Sequence, residues 1–481
     1  MQTGIERQLD SELEEATSMV SRFIAGTNYD DLPQAIADRV KKSILDTIGI
    51  IIPASELMPD LKEAIGLYVE AGGKEESTVL AYGVKLPCWA AAFANGVRGH
   101  SLDYADGHLE AVFRVGISCI PAALSLAERK GAVSGKELIA AVAVAEEILC
   151  RLGISVARRR KSLGPWHAGI LLGNFGATAA AAKMLNLTAD QTDRAFGIAY
   201  LQAGGTEITT DPDSNIRGMY AGFVSKTGVL AALMSQRGIL GPRGCLEARD
   251  GLFNVYLQGA YDRQALVQNL GSEFELINLS FKPWPACALA HTYIDAMLNL
   301  RSEHSLRAED IERIEVFSGE RSREQCNPID FAAGKFPKTT NDGKRSIPFN
   351  VAVAALTGKI SFRNFTPEGL RDPELLKMAE KVRWVLAPEL DEESFTKKGN
   401  QLPPGKVAVT VRDGRTFTKR TDFPYGHHFN PIKSEDLVEK FRDCLAFSPR
   451  PIPLQDMERV IEMILHLEEV SDIREILRLL A

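Results

Sequence analysis

Ser134-Gly-Lys-Glu-Leu-Ile-Ala-Ala-Val-Ala-Val-Ala-Glu-Glu-Ile-Leu-Cys-Arg-Leu152 decides the fold. Ser134 stands three residues before Glu137, the spacing of a capping box, and the residues from Ile139 to Leu152 are apolar nearly all round. A helix with no face for water has to be surrounded by others. The same texture continues outward from it. Leu32 to Gly49 follows Asp30-Asp31, has Pro33 suited to a first turn and ends at a glycine. Leu187-Thr-Ala-Asp-Gln191 opens a helix as Ser134 does, and the glycines and alanines of Gly169 to Ala182 let helices approach closely. From Glu12 to about Leu270, apolar residues recur at three and four positions, which predicts an almost wholly helical region.

Near Glu273 the texture changes. Ile311-Glu-Arg-Ile-Glu-Val-Phe317 alternates as a half-exposed strand does, and Val407 to Thr418 carries the Asp413-Gly414 signal of a hairpin. Helical patterns lie between them at Leu289 to Arg301, Ile347 to Thr357 and Glu374 to Lys381. After Pro424 the chain returns to amphipathic helices, Glu435 to Cys444 and Asp456 to Leu480. A chain of 481 residues is too long for one ordinary core. The expected fold is therefore mainly α: a large all-helical domain formed by both chain ends, 1–272 and 424–481, with a smaller α+β domain, 273–423, inserted between them.

Composition excludes several function classes. About 45% hydrophobic and 25% charged residues is the balance of a soluble globular protein. Uncharged apolar runs of membrane-spanning length are missing, and Met1 to Glu15 is acidic and polar, so no membrane span, signal peptide or transit peptide is read and a cytoplasmic location is expected. A net charge of −7 argues against nucleic-acid binding, so any anionic ligand must be met by a local basic site. The seven cysteines are scattered without a C-x-x-C pair, as for reduced thiols, which argues against a zinc ribbon or an iron–sulfur cluster.

Four segments could carry chemistry. Asn95-Gly-Val-Arg-Gly-His-Ser-Leu-Asp-Tyr-Ala-Asp-Gly-His108 sets His100, Asp103, Asp106 and His108 within nine residues, close enough for the aspartates to perturb each other; the alternative is a capping network. It lacks the spacing of a dedicated metal site. In Gly164-Pro-Trp-His167 the imidazole opens a small-residue helix, whose N-terminus would keep it neutral and able to accept a proton; the alternative is a core or cap histidine. The Arg158 to Lys161 run before it reads as solvated surface. Phe281-Lys-Pro-Trp-Pro-Ala-Cys287, with His291 a helical turn later, stiffens Lys282 beside Cys287, either to grip a carboxylate or as a plain hinge. Arg217 and Tyr220 share a face, and a guanidinium there would match a carboxylate; a surface arginine is the alternative.

Together these segments resemble one family, the MmgE/PrpD proteins, nearly end to end. Asp46-Thr-Ile-Gly49, Asn95-Gly96 with His100 to His108, Trp166-His167, Gly176-Ala177, Tyr220-Ala-Gly222, Lys282 to Cys287 and Gly426-His-His-Phe-Asn-Pro431 fall in family order. The resemblance implies that the α+β part is a lid over a cleft, that the protein is a homodimer, and that Asp103, His167 and Lys282 are catalytic. Substrate would be bound by Arg217, Tyr220, His108, Asp106 and Cys287. It implies a cofactor-independent, metal-free lyase acting on a small polycarboxylate, with dehydration of 2-methylcitrate or a related alkyl-citrate first. Decarboxylation of a cis-aconitate-like acid, epimerisation of an iminodisuccinate-like acid and a non-catalytic member are the alternatives. The chain departs from the signature where Asp-Asp-Thr becomes Ala105-Asp106-Gly107 and a later His-Pro is replaced by Phe113-Arg114-Val115. Arg217 and Cys287 stand where the decarboxylases have a lysine and a histidine.

Overall fold

In the computed structural model, which describes residues 15–58, 60–111, 113–159, 164–210, 214, 216–326, 331–396 and 402–481, long buried helices build the N-terminal half. They include α1 (Gln34–Ile51), α2 (Cys88–Gly99), α3 (Gly116–Lys130), α4 (Gly135–Ala157), α5 (Ala168–Met184) and α6 (Tyr220–Gln236). The capping box forms as the spacing predicts: Glu137 N donates to Ser134 Oγ at 3.3 Å and Ser134 N to Glu137 Oε2 at 2.9 Å. α4 is buried from Leu138 through Val156, its Glu146, Glu147 and Arg151 included. Arg151 pairs with Glu147 and donates to the Gln268 and Glu273 carbonyls at 2.7 and 2.8 Å, tying the chain after the helical half to its central helix.

α6 lies between α2 and α5, and small residues make this possible. A methyl group on Gly96 would stand 2.7 Å from the Gly222 Cα, and one on Gly222 would stand 2.4 Å from Val97 Cγ1, so only glycine lets the two backbones touch. The helical half also holds a hairpin that the periodicity does not reveal, β1 (Ser77–Val79) with β2 (Val84–Leu86). Side chains from helices satisfy it: Asn95 accepts from Leu80 N and donates to the Thr78 carbonyl, each at 3.0 Å, while Glu128 accepts from Thr78 N at 2.6 Å.

The strands read after Glu273 form as β3 (Ile311–Ser318), β5 (Gly405–Val411) and β6 (Thr416–Thr421), joined by β4 (Val382–Leu386), which helical signals just before it obscure. The order is β4-β3-β5-β6, with β3 parallel to β4 and antiparallel to β5. An irregularity between Ile311 and Arg313 brings Ile311 onto the buried face beside Ile314 and Val316 despite the odd spacing. Helices α7 (His291–Glu303) and α8 (Ile347–Thr357) pack with this sheet.

Two hydrophobic cores result. One gathers residues from Ala16 to Phe281 together with Phe362 and residues from Ile432 to Leu480; the other gathers Trp284 to Val411. The changeover falls between Phe281 and Trp284, later than the texture change near Glu273, because Phe274, Leu276 and Leu279 still pack in the first core. The helix α9 (Ser434–Leu445) lies against α1. The long helix expected over 456–480 is broken into Leu454–Leu465, a short 3-10 turn and Arg474–Leu479. The break pairs with the chain before α4: Gly135 N donates to Val470 O at 2.8 Å and Ile473 N to Val133 O at 2.9 Å. A continuous helix would forfeit both bonds.

Candidate active site

Three segments distant in sequence meet where the two cores adjoin. α2 ends at Gly99, and the chain turns so that Asp103 N donates to the His100 carbonyl at 2.9 Å, leaving Asp103 in the left-handed region at φ 49°. Aspartate tolerates that conformation better than most residues, at a cost on the order of 1 kcal/mol. Gly107 and Ser280 then exchange backbone bonds, each 2.9 Å, and Phe281 N donates to the Gly426 carbonyl at 2.9 Å. The junction between the cores is thus held on one side by the signature loop and on the other by Tyr425 to His428. A small cleft opens there, lined by Leu109, Arg114, Lys282, His291, Tyr425 and His427 among others.

Lys282 dominates its electrostatics. Its ammonium donates to Asp103 Oδ1 at 2.6 Å, to the Asp103 carbonyl and to the Ala286 carbonyl at 2.8 Å. Arg114 Nη2 reaches the same carboxylate at 3.4 Å. Burial alone would raise the Asp103 carboxyl, but Lys282 and Arg114 outweigh it and hold the group far below the usual carboxylate range. Burial, reinforced by Arg114 and opposed by Asp103, brings Lys282 down to about 8. His291 is buried and kept neutral first by burial and then by Lys282, and its Nε2 donates to the Ala286 carbonyl at 3.2 Å. The resting site therefore holds one fixed carboxylate against two cations.

Cys287 lies beside this group. Its backbone N–H donates to the Lys344 carbonyl at 2.9 Å, and the Cys326 thiol donates to its sulfur at 3.3 Å. That hydrogen bond, with help from Lys282, outweighs burial and the nearby Asp103 charge and draws the Cys287 thiol below its ordinary range.

The other residues singled out from sequence do not line this cleft, although His100, Tyr220 and His167 stand ring to ring beside the loop that carries Asp103. Asp106 turns away from the cleft into the helical core, where its carboxylate accepts from Gly116 N at 3.1 and 3.2 Å and from Ser43 Oγ at 3.1 Å. Burial and then Asp46 raise its carboxyl, so the perturbing neighbour is Asp46, brought in from α1, rather than Asp103. His108 is buried, pairs its backbone with Phe113, accepts from Ala111 N at 3.3 Å and is depressed to about 4, chiefly by burial. His167 caps α5: its Nδ1 accepts from Ile170 N at 3.3 Å. With Nδ1 accepting from the backbone, a neutral ring carries its proton on Nε2. Tyr220 stands between His100 and His167, with ring centroids 5.0 and 5.1 Å away. The backbone around Arg217 forms the 3-10 turn Ile216–Met219, with Gly218 directly against Ser101; the Arg217 side chain is outside the described residues, as are Arg160 and Lys161 of the basic run. Arg158 and Arg159 are exposed.

Sequence reasoning missed three cations. Arg114 read only as a departure from a signature. Lys344 is buried, donates to the Ser101 carbonyl and is lowered to about 8 by burial. Lys440 of α9 is the joint of the whole region: its ammonium donates to Asp46 Oδ1 at 2.6 Å, the Tyr104 carbonyl at 2.8 Å and the Lys282 carbonyl at 2.9 Å, and lies 3.7 Å over the Tyr104 ring. Its spacing, three residues after Leu437 and four before Cys444, puts it on the buried face of the helix and was the signal available, though not which acceptors it would meet. Among the described residues there is no group of three His, Cys, Asp or Glu side chains able to hold a metal, and no helix long and apolar enough to cross a membrane.

Comparison with known proteins places the same residues in a wider frame. The MmgE/PrpD N-terminal domain model matches residues 18–264 and the MmgE/PrpD C-terminal domain model residues 284–467. Cis-aconitate decarboxylase of Aspergillus terreus is 26% identical over 96% of the chain and 95% of its own length, and that of Homo sapiens is 26% identical over 96% and 93%. The 2-methylcitrate dehydratase of Salmonella typhimurium is 25% identical over 91% of each.

Proposed function

From the premise that the chain belongs to the MmgE/PrpD family, we propose that it is a cofactor-independent lyase of a small polycarboxylate and that its reaction is dehydration of 2-methylcitrate or a related alkyl-citrate. The observation that carries this reading is the buried Lys282 ammonium, 2.6 Å from an ionised Asp103 at the cleft. Removing a proton next to a carboxylate builds negative charge on that carboxylate, and a fixed ammonium there stabilises it. A substrate carboxylate entering the cleft competes with Asp103 for Lys282 and Arg114. Asp103, released from them, becomes basic enough to take the proton. The proton that Asp103 takes then passes to the hydroxyl, which leaves as water, and the Nε2–H of His167 assists its departure as a hydrogen-bond donor. The part carrying the second core acts as a lid over the cleft, and the enzyme works as a homodimer in the cytoplasm.

Decarboxylation of a cis-aconitate-like acid is the second reading, favoured by the decarboxylases that align over 96% of the chain. Against it, loss of carbon dioxide leaves a carbanion that needs a proton, and the stretch Phe113-Arg114-Val115, where the resemblance expects His-Pro, holds no histidine to supply it. The test is incubation of the purified protein with 2-methylcitrate, citrate, cis-aconitate and iminodisuccinate, following water loss, carbon dioxide and optical rotation. Water loss from an alkyl-citrate is expected. Carbon dioxide release alone moves the assignment to the second reading, and turnover of none overturns the lyase. His167→Ala should abolish turnover with the fold intact, and light scattering checks the dimer.

A further inference from the structure

Arg114 and Gly107 fit one another. A Cβ built on Gly107 would stand 2.7 Å from Arg114 Nη1 and 3.5 Å from its Cδ, so the guanidinium occupies the volume that a side chain at 107 would take. Gly107 stands where the signature has a threonine, and Arg114 lies in the Phe113-Arg114-Val115 stretch that replaces its His-Pro. In this chain position 107 carries no side chain and a guanidinium is housed in its place.

What the guanidinium does there follows from its bonds. Arg114 lines the cleft, and of its five N–H donors one reaches Asp103 Oδ1, at a long 3.4 Å; among the described residues it makes no other hydrogen bond. Its side chain is 15% exposed, so the remaining donors are shielded from bulk water without being used by the protein. Lys344 is committed to Ser101, His291 is neutral, and Lys282 already shares the Asp103 charge. One positive charge with a planar, two-point donor array is left facing the cleft, which is the complement of a carboxylate.

We propose that Arg114, seated in the space left by Gly107, is a specificity-determining residue that binds a second substrate carboxylate, distinct from the one Lys282 holds. The proposal rests on the polycarboxylate reading above and deepens it: the acid bound must present two carboxylates at once, one to each cation.

Equilibrium binding tests it without requiring turnover. Calorimetry with tricarballylate is compared with glutarate, the same acid without its middle carboxylate, and methylsuccinate, the same acid without a terminal one. Arg114→Ala is expected to weaken tricarballylate 10- to 100-fold, as for loss of a charge-assisted bidentate contact. One of the two dicarboxylates, the one lacking the carboxylate that Arg114 holds, should change less than twofold. Gly107→Thr, which leaves the arginine in the chain but pushes its guanidinium aside, should reproduce this pattern, and Gly107→Thr with Arg114→Ala should bind no more weakly than Arg114→Ala alone. Arg114→Lys should restore part of the loss. Equal weakening of all three acids, unchanged tricarballylate affinity, or additive losses in the double variant overturns the proposal; if Gly107→Thr melts more than a few degrees early, the Arg114 variants decide. A protein that binds tricarballylate through Arg114 yet converts no acid overturns the proposed reaction only, and one that converts acids with affinities indifferent to Arg114 overturns this inference only. Failure of all three acids to bind overturns both.

Discussion

Two lysine–aspartate pairs, each closed at 2.6 Å, stand back to back in this molecule: Lys282 with Asp103 at the cleft, and Lys440 with Asp46 in the helical core. They touch through one atom, the Lys282 carbonyl, which accepts from Lys440 at 2.9 Å. Their side chains differ in access. Lys282 and Asp103 are 7% and 24% exposed, Lys440 and Asp46 only 3% and 0%. The same two groups at the same distance do different work: the first pair can trade its partner for an incoming carboxylate, whereas nothing can reach the second. Burying an ion pair is expensive, so the core pair holds only because further acceptors complete it, the Tyr104 and Lys282 carbonyls for Lys440 and the Asp106 amide for Asp46. The inner pair is the anchor that fixes the outer one.

The largest effect should come from breaking the anchor. Lys440→Ala strands the Asp46 carboxylate in the core and is expected to lower stability by about 3–5 kcal/mol in urea titration. Lys440→Met combined with Asp46→Leu, which removes both charges, should recover most of that loss; no recovery would mean that the carbonyl contacts, not the pair, do the anchoring. The outer pair should behave in the opposite way. Lys282→Ala is expected to cut kcat/KM by about 10²–10³-fold, as for loss of a fixed cation at a developing charge, while melting within a few degrees of the parent. A variant of full activity would remove Lys282 from the site.

A pH series separates the pairs without mutation. Lys282 loses its proton at about 8 in the folded protein, against an ordinary value near 10.5. kcat/KM should therefore fall as pH rises through 8, about tenfold per unit. Because the unfolded chain still holds that proton up to about 10.5, it binds more protons than the native state in this window, and the contribution of Lys282 to stability rises with pH there. Lys344, also lowered to about 8, acts in the same direction. Activity and stability moving together between pH 8 and 10 would break the assignment. The smallest effect tests the link between the pairs: Tyr104 donates its hydroxyl to the Pro283 carbonyl at 2.9 Å, and Tyr104→Phe should cost about 1 kcal/mol of stability with a modest loss of kcat.

Asp103 and Asp106 show how much of this was readable in the chain. Both stand in one signature, three residues apart, and sequence treats them alike. The chain turns between them, so one carboxylate faces the cleft and two cations, and the other faces Ser43, Gly116 and a second aspartate. Periodicity has no access to such a turn. His167 was half readable: its place at a helix start follows from Gly164-Pro165, but the ring nitrogen committed to Ile170 N appears only once α5 is built.

Sequence by itself determined what each segment had to bury. The capping box at Ser134, the apolar run of α4, the alternation of β3 and the Asp413-Gly414 turn are local demands, met by any fold that shields apolar surface and pairs the backbone. It also marked Asp103 and Lys282, 179 residues apart, as groups worth watching. The tertiary structure decided which charges met. Lys440 drew no reading and Arg114 only that of a broken motif, until packing placed one beneath Tyr104 and the other over Gly107. The reason is range: burial patterns are set by neighbours a helical turn away, whereas an ion pair is set by whichever distant segment the core brings within 3 Å.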